Sequence, residues 1–209
     1  MAWAKRNERG IGAAQVTAAV MGAYAGLLGL IHGICEMMQG FTAPEGLVFY
    51  AMGPPCQPDA VWHGCLPAMT LVPSLFIAGL VTVMAGALTV IWAVFGVRRR
   101  GGSLGLILLS VMMLLTGGGF VAPYTGVLAG IAALLKDRGK PTTRVFPTGL
   151  WPWPLVLLMV WFPASWIAGY FFGEAMLAAG PVLFVVFDIL LPVLVLWTGQ
   201  AQDRRERAE

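Results

Sequence analysis

The sequence predicts an all-α protein, a polytopic transmembrane bundle of six membrane-embedded helices with both termini cytoplasmic. Three observations predict it. Of 209 residues, 58% are hydrophobic and 11% are charged, and the mean hydropathy is +0.80. An ordinary globular chain carries roughly 25% charged residues, so this one has too few to cover a water-facing surface, and lipid must be its solvent. The apolar residues also fall into uncharged stretches near the ~20 residues that a helix needs to cross a hydrocarbon core. Finally, the 13 Lys and Arg residues stand in short clusters between those stretches.

The first helix is expected over residues 11–35, after a basic head of Lys5, Arg6 and Arg9. That head could pass for the start of a signal peptide. The apolar run is too long for one, no small-x-small cleavage site ends it, and further spans follow, which favours a retained helix. The second is expected over residues 68–97, stopped by Arg98, Arg99 and Arg100, with Pro73 either kinking it or marking its first turn.

The apolar region from Leu104 to Leu135 is longer than one span and shorter than two. Gly117, Gly118 and Gly119, followed by Pro123, disfavour a continuous helix. Two short helices over residues 103–117 and 123–136 result, either a shallow hairpin or a re-entrant pair. The last two are expected over residues 150–172 and 176–198, joined at Gly173, Glu174 and Ala175 in a tight helical hairpin.

Charge placement tests the count, because Lys and Arg collect in cytoplasmic loops. With six passes, the clusters at Lys5 to Arg9, Arg98 to Arg100, Lys136 to Arg144 and Arg204 to Arg207 all fall on one side, and they hold all 13 basic residues. A single crossing over Leu104 to Leu135 would put Lys136, Arg138, Lys140 and Arg144 outside. The expected location is therefore the plasma membrane, multi-pass, as one integral domain. The basic clusters carry no interleaved aromatic platform, which argues against nucleic acid as a partner.

Residues 39–67 form the one large extracytoplasmic loop, a cap that carries Cys56 and Cys65. Their compartment permits a disulfide between them. The alternative is two free thiols, with Cys35 a third party. Cys56, His63 and Cys65 could in principle hold zinc or copper, but the spacing matches no structural-zinc pattern.

On the first helix, Gly22, Gly26, Gly29 and Gly33 recur at steps of four, three and four, a narrow stripe that lets a neighbouring helix approach closely. Gly79, Gly86 and Gly96, with Thr82 and Thr89, form a comparable stripe on the second helix. Such faces could serve packing within the chain, a homo-oligomer or a membrane partner. His32 and Glu36 are offset modestly from the first stripe, so they should point into the bundle, one turn apart.

Ionisable groups at membrane depth are costly and often functional, so His32, Glu36 and Asp188 are the candidate site. Asp188 lies deepest, followed by Pro192, which frees a backbone carbonyl. The functional reading is a proton or cation relay through these three. The structural reading is that Asp188 packs as a neutral residue or is hydrogen-bonded to a Thr, Ser, Tyr or Trp. Trp151, Trp153 and Trp197 fit interface anchors, and the glycine turn could present N–H groups to an anion. There is no G-x-S-x-G, H-E-x-x-H, C-x-x-C, Walker loop or dinucleotide fingerprint. Two histidines cannot ligate a multi-haem protein, and no lysine lies between Lys5 and Lys136 for a retinal Schiff base.

The run His32-Gly33-Ile34-Cys35-Glu36-Met37-Met38-Gln39-Gly40, with Pro67-Ala68-Met69-Thr70 and Gly117-Gly118-Gly119-Phe120, resembles blocks of a widespread prokaryotic membrane family of unknown function. The similarity spans roughly residues 22–135 and departs at Leu66, where an acid is expected. It implies no role for any residue. Three functions stand open: a small transporter or ion- or proton-conducting protein, a non-enzymatic accessory or assembly subunit, and a membrane enzyme with an outer metal or thiol site around His32, Glu36, Cys56, His63 and Cys65. The charge pattern and motifs name no cofactor.

Overall fold

A computed structural model of the chain describes residues 12–50, 66–135 and 149–208. Among the described residues there are six helices: α1 (Ala13–Met38), α2 (Leu75–Gly96), α3 (Gly102–Thr116), α4 (Val121–Leu135), α5 (Trp153–Phe171) and α6 (Gly173–Glu206). The last turn of α2, Trp92–Gly96, and the middle of α6, Phe184–Leu190, are π-helical. Helices α1, α2, α5 and α6 are long and apolar enough to cross a membrane. Helices α3 and α4 have 15 residues each, about 22 Å at 1.5 Å per residue, which is shorter than a core of about 30 Å. By these apolar helices the chain is a membrane protein.

The expected boundaries move most at two helices. The second helix begins at Leu75, because the preceding residues are extended: β1 (Val48–Tyr50) pairs antiparallel with β2 (Pro67–Met69), with Phe49 opposite Ala68. The first free N–H groups of α2 bind loop carbonyls, Leu75 to Thr42 and Phe76 to Gly40, both at 2.9 Å. The last helix starts at Gly173, one residue beyond α5, and continues to Glu206. The helix runs through Gly199 because the polar tail keeps packing: Gln200 donates to the Ala132 carbonyl at 2.7 Å, and the Asp203 carboxyl sits against Gly12, where α1 starts.

Helix α1 is central, packing on α2, α4 and α6. Lipid supplies no hydrophobic drive between helices, so close backbone approach must hold them together. The two glycine stripes meet each other. A methyl group at Gly26 would lie 2.6 Å from the Gly86 carbonyl oxygen, and one at Gly33 would lie 2.7 Å from that of Gly79. The faces are reciprocal, since a methyl at Gly86 would lie 2.7 Å from the Gly26 carbonyl. On α1, Gly22 faces both Ala93 of α2 and Leu106 of α3, and Gly29 admits Met113 of α3. At Gly96 the Trp92 ring covers the position a methyl would take. Below the stripes, Met21, Leu106, Leu158 and Val195 fill a core shared by α1, α3, α5 and α6. By contrast, Gly173–Leu183 and Phe184–Leu190 bury no residue, so the upper half of the α5–α6 hairpin stands off the bundle.

Candidate functional site

Around α1, at 100° per residue, His32 is set about 60° from Gly29 and Glu36 about 60° from Gly33. Because those glycines seat α1 on α2 and α3, the neighbouring face turns toward the break between α3 and α4. Both side chains are buried there, His32 with 7% of its surface exposed and Glu36 with none. Their i, i+4 spacing lets them touch, yet among the described residues neither Glu36 carboxyl oxygen nor His32 Nδ1 has a hydrogen-bond partner. A polar group buried without a partner costs on the order of 1–3 kcal/mol. The fold therefore tolerates a penalty here at two adjacent turns.

The cradle is the glycine turn. Helix α3 ends at Thr116, and Gly117 and Gly119 both take left-handed conformations, with φ of +113° and +71°. A methyl at Gly119 would stand 2.6 Å from His32 Cε1, and one at Gly117 would collide with both Glu36 carboxyl oxygens. Each ionisable group thus lies flat on one glycine. The turn is fixed from three sides. The Thr82 hydroxyl donates to the Thr116 carbonyl at 2.7 Å, Gly118 N–H to the Met113 carbonyl at 2.7 Å, and Leu71 N–H to the Leu115 carbonyl at 2.9 Å. An isolated bridge between Thr70 and Thr116 ties the end of β2 to the same point.

Asp188 reaches this region from α6. Pro181 and Pro192 lack the N–H groups that would bind the carbonyls of Leu177 and Asp188, and the helix between them widens into π-turns. Beside Asp188, the Tyr124 hydroxyl of α4 donates to the Ile189 carbonyl at 3.0 Å. The half-buried Asp188 carboxyl has Trp161 of α5 as its hydrogen-bond partner, and the Tyr24 hydroxyl lies within its electrostatic reach. Trp161 is itself stacked on Phe187, with centroids 3.8 Å apart.

A cavity with about 80 Å³ of room for water-sized molecules joins these groups, walled by Tyr24 and His32 of α1, Phe162 of α5, and Phe184 and Asp188 of α6. Leu66 and Pro67 close it from the loop side. His32 and Asp188 thus share one space, while Glu36 lies behind His32, under Gly117. A second, apolar groove of about 420 Å³ runs along α3, α4 and α6, and Phe120, Val121, Phe184 and Asp188 line both spaces.

Among the described residues, no three His, Cys, Asp or Glu side chains gather as a metal site, and Cys35 is a free thiol. Cys56, His63 and Cys65 lie outside the described residues. Sequence reasoning missed Tyr24 and the contact of the glycine turn with His32 and Glu36. Tyr24 had a signal, since Tyr24, Leu28, His32 and Glu36 recur every fourth residue along α1. No protein-family model, curated protein or solved structure matches the chain, so roles rest on the site's own geometry.

Proposed function

We propose that this chain is a small multi-pass transporter that moves protons through His32, Glu36 and Asp188. The observation that carries the reading is the buried pair beneath the glycine turn, the Glu36 carboxyl and His32 Nδ1, which find no partner among the described residues. A purely structural carboxyl would be expected to have found a donor, and a group that gains and loses a proton has reason to be left free. Imidazole can accept at one nitrogen and donate at the other. The cavity between His32 and Asp188 has space for more than one water, since each needs roughly 10–15 Å³ by the same measure, and Tyr24 supplies a further polar contact. Protons would pass between Asp188 and His32 through this space and between His32 and Glu36 along α1.

The topology that goes with this reading has six membrane-embedded helices and both termini cytoplasmic, with α3 and α4 as a short pair meeting at the glycine turn. Positive residues at Arg98–Arg100 and Arg204–Arg207 then lie inside, and the segment that follows α1 lies outside. The glycine faces of α1 and α2 pack on each other, which removes the main feature favouring an accessory subunit that binds partners through them. Reconstituted Asp188→Asn protein should fold and carry no proton flux. Full flux from that variant would remove Asp188 from the pathway.

A further inference from the structure

We infer that the cavity at Asp188 is a binding site for a lipophilic organic cation, which reaches it from the bilayer along the groove between α4 and α6. The inference rests on the transporter reading for its purpose, since it names the substrate class of that site. Four aromatic rings, Tyr24, Phe120, Phe162 and Phe184, wall the cavity around the Asp188 carboxylate and the His32 imidazole, and among the described residues no Lys or Arg contributes to its lining. Tyr24 and Phe162 meet edge to face, with centroids 6.4 Å apart and planes at 84°, which forms an aromatic corner.

Charge and ligand count decide between candidate ligands. An anion would meet the Asp188 carboxylate, and among the described residues of the lining only the His32 imidazole, when protonated, could offset it. A calcium ion stripped of its water would need about six to eight oxygen ligands, and among the described residues the lining offers only the Asp188 carboxylate and the Tyr24 hydroxyl as side-chain oxygens. A neutral apolar molecule would strip water from Asp188 and give nothing back. An organic cation answers the carboxylate with its charge, the rings with cation–π contacts, and the remaining apolar wall with its body. The route follows from the second space. The groove is lined by Leu114, Val127, Phe184 and Ile189, its rim residues Phe120, Phe184 and Ile189 are exposed, and Asp188 stands where it joins the cavity. A ligand dissolved in lipid would meet apolar surface until it reached that carboxylate.

The test uses the full chain in nanodiscs and three probes of one shape: phenyltrimethylammonium, its neutral isostere tert-butylbenzene, and benzenesulfonate. Calorimetric titration, corrected with empty nanodiscs, should show phenyltrimethylammonium binding at least about tenfold more tightly than either of the others. Asp188→Asn should lose that preference, Asp188→Glu should keep most of it, and Phe162→Leu should weaken the cation while leaving tert-butylbenzene little changed. Equal binding of cation and neutral isostere, or an unchanged preference in folded Asp188→Asn, would overturn the inference. Should Asp188→Asn fail to fold, an unchanged preference in Phe162→Leu overturns it instead. Proton flux without cation binding would leave the transporter reading standing alone, and Asp188-dependent binding without flux would show the reverse.

Discussion

The Glu36 carboxyl lies directly on the α-carbon of Gly117, at the residue where α3 turns left-handed and no side chain fits between them. Gly117→Ala meets two penalties, the positive φ and the carboxyl. Gly101 has φ +77° with nothing within 4 Å of a methyl placed there, so Gly101→Ala meets only the first. Thermal unfolding in detergent should show Gly101→Ala costing about 1 kcal/mol and Gly117→Ala about 1–3 kcal/mol more. The excess should shrink when Glu36→Ala is combined with Gly117→Ala, as a double-mutant cycle would report. Equal effects of the two glycine substitutions would mean that the carboxyl does not press on the turn.

Gly33 and Gly79 set the spacing of α1 and α2 by backbone on backbone, where no rotamer change can make room. Gly33→Val should lower stability by several kcal/mol or prevent accumulation, on the scale of the largest overpacking effects. Gly173→Ala, which meets nothing within 4 Å, should leave the unfolding temperature near that of the parent. Comparable losses from the two would contradict the packing described for α1 and α2.

Thr82 holds the turn from α2 through its hydroxyl, which reaches both the carbonyl and the Oγ1 of Thr116 at 2.7 and 2.8 Å. Thr82→Val keeps the shape and removes the donor, at a cost of roughly 1 kcal/mol. Hydrogen exchange should report faster opening at Gly118, whose N–H binds the Met113 carbonyl, with little change in the middle of α1. Uniform acceleration across both would show that Thr82 acts on global stability alone.

Sidedness follows from the charge pattern. In a background lacking Cys35, Cys56 and Cys65, a cysteine replacing Glu174, in the first turn of α6, should react with an impermeant maleimide on intact cells. One replacing Arg205 in the last turn of α6 should react only after permeabilisation. Reaction of both, or of neither, on intact cells would break the topology.

Helix number and the break at Gly117–Gly119 were legible because lipid demands long apolar runs and because three glycines punctuate one of them. The start of α2 was not. Pro67, Ala68 and Met69 are apolar enough for a span, and only pairing with Val48, Phe49 and Tyr50 makes them a strand. The end of α6 was missed for the opposite reason: Gln200–Glu206 read as a polar tail, and tertiary contacts from Gln200 and Asp203 keep it helical. Of the site, the inward face of His32 and Glu36 could be read from their offset to the glycine stripe. Their cradle could not, because it pairs residues about eighty positions apart through left-handed backbone.

Proton flux into vesicles reconstituted with Glu36→Gln protein tests the relay most directly, because the amide keeps the size of the buried side chain and removes only its ability to exchange a proton. With a pH gradient imposed and a pH-sensitive dye inside, the parent protein should dissipate the gradient. Glu36→Gln, with unfolding temperature equal to or above the parent's, should behave like protein-free vesicles. A folded Glu36→Gln protein that dissipates the gradient as fast as the parent, or a parent no faster than protein-free vesicles, would contradict the account.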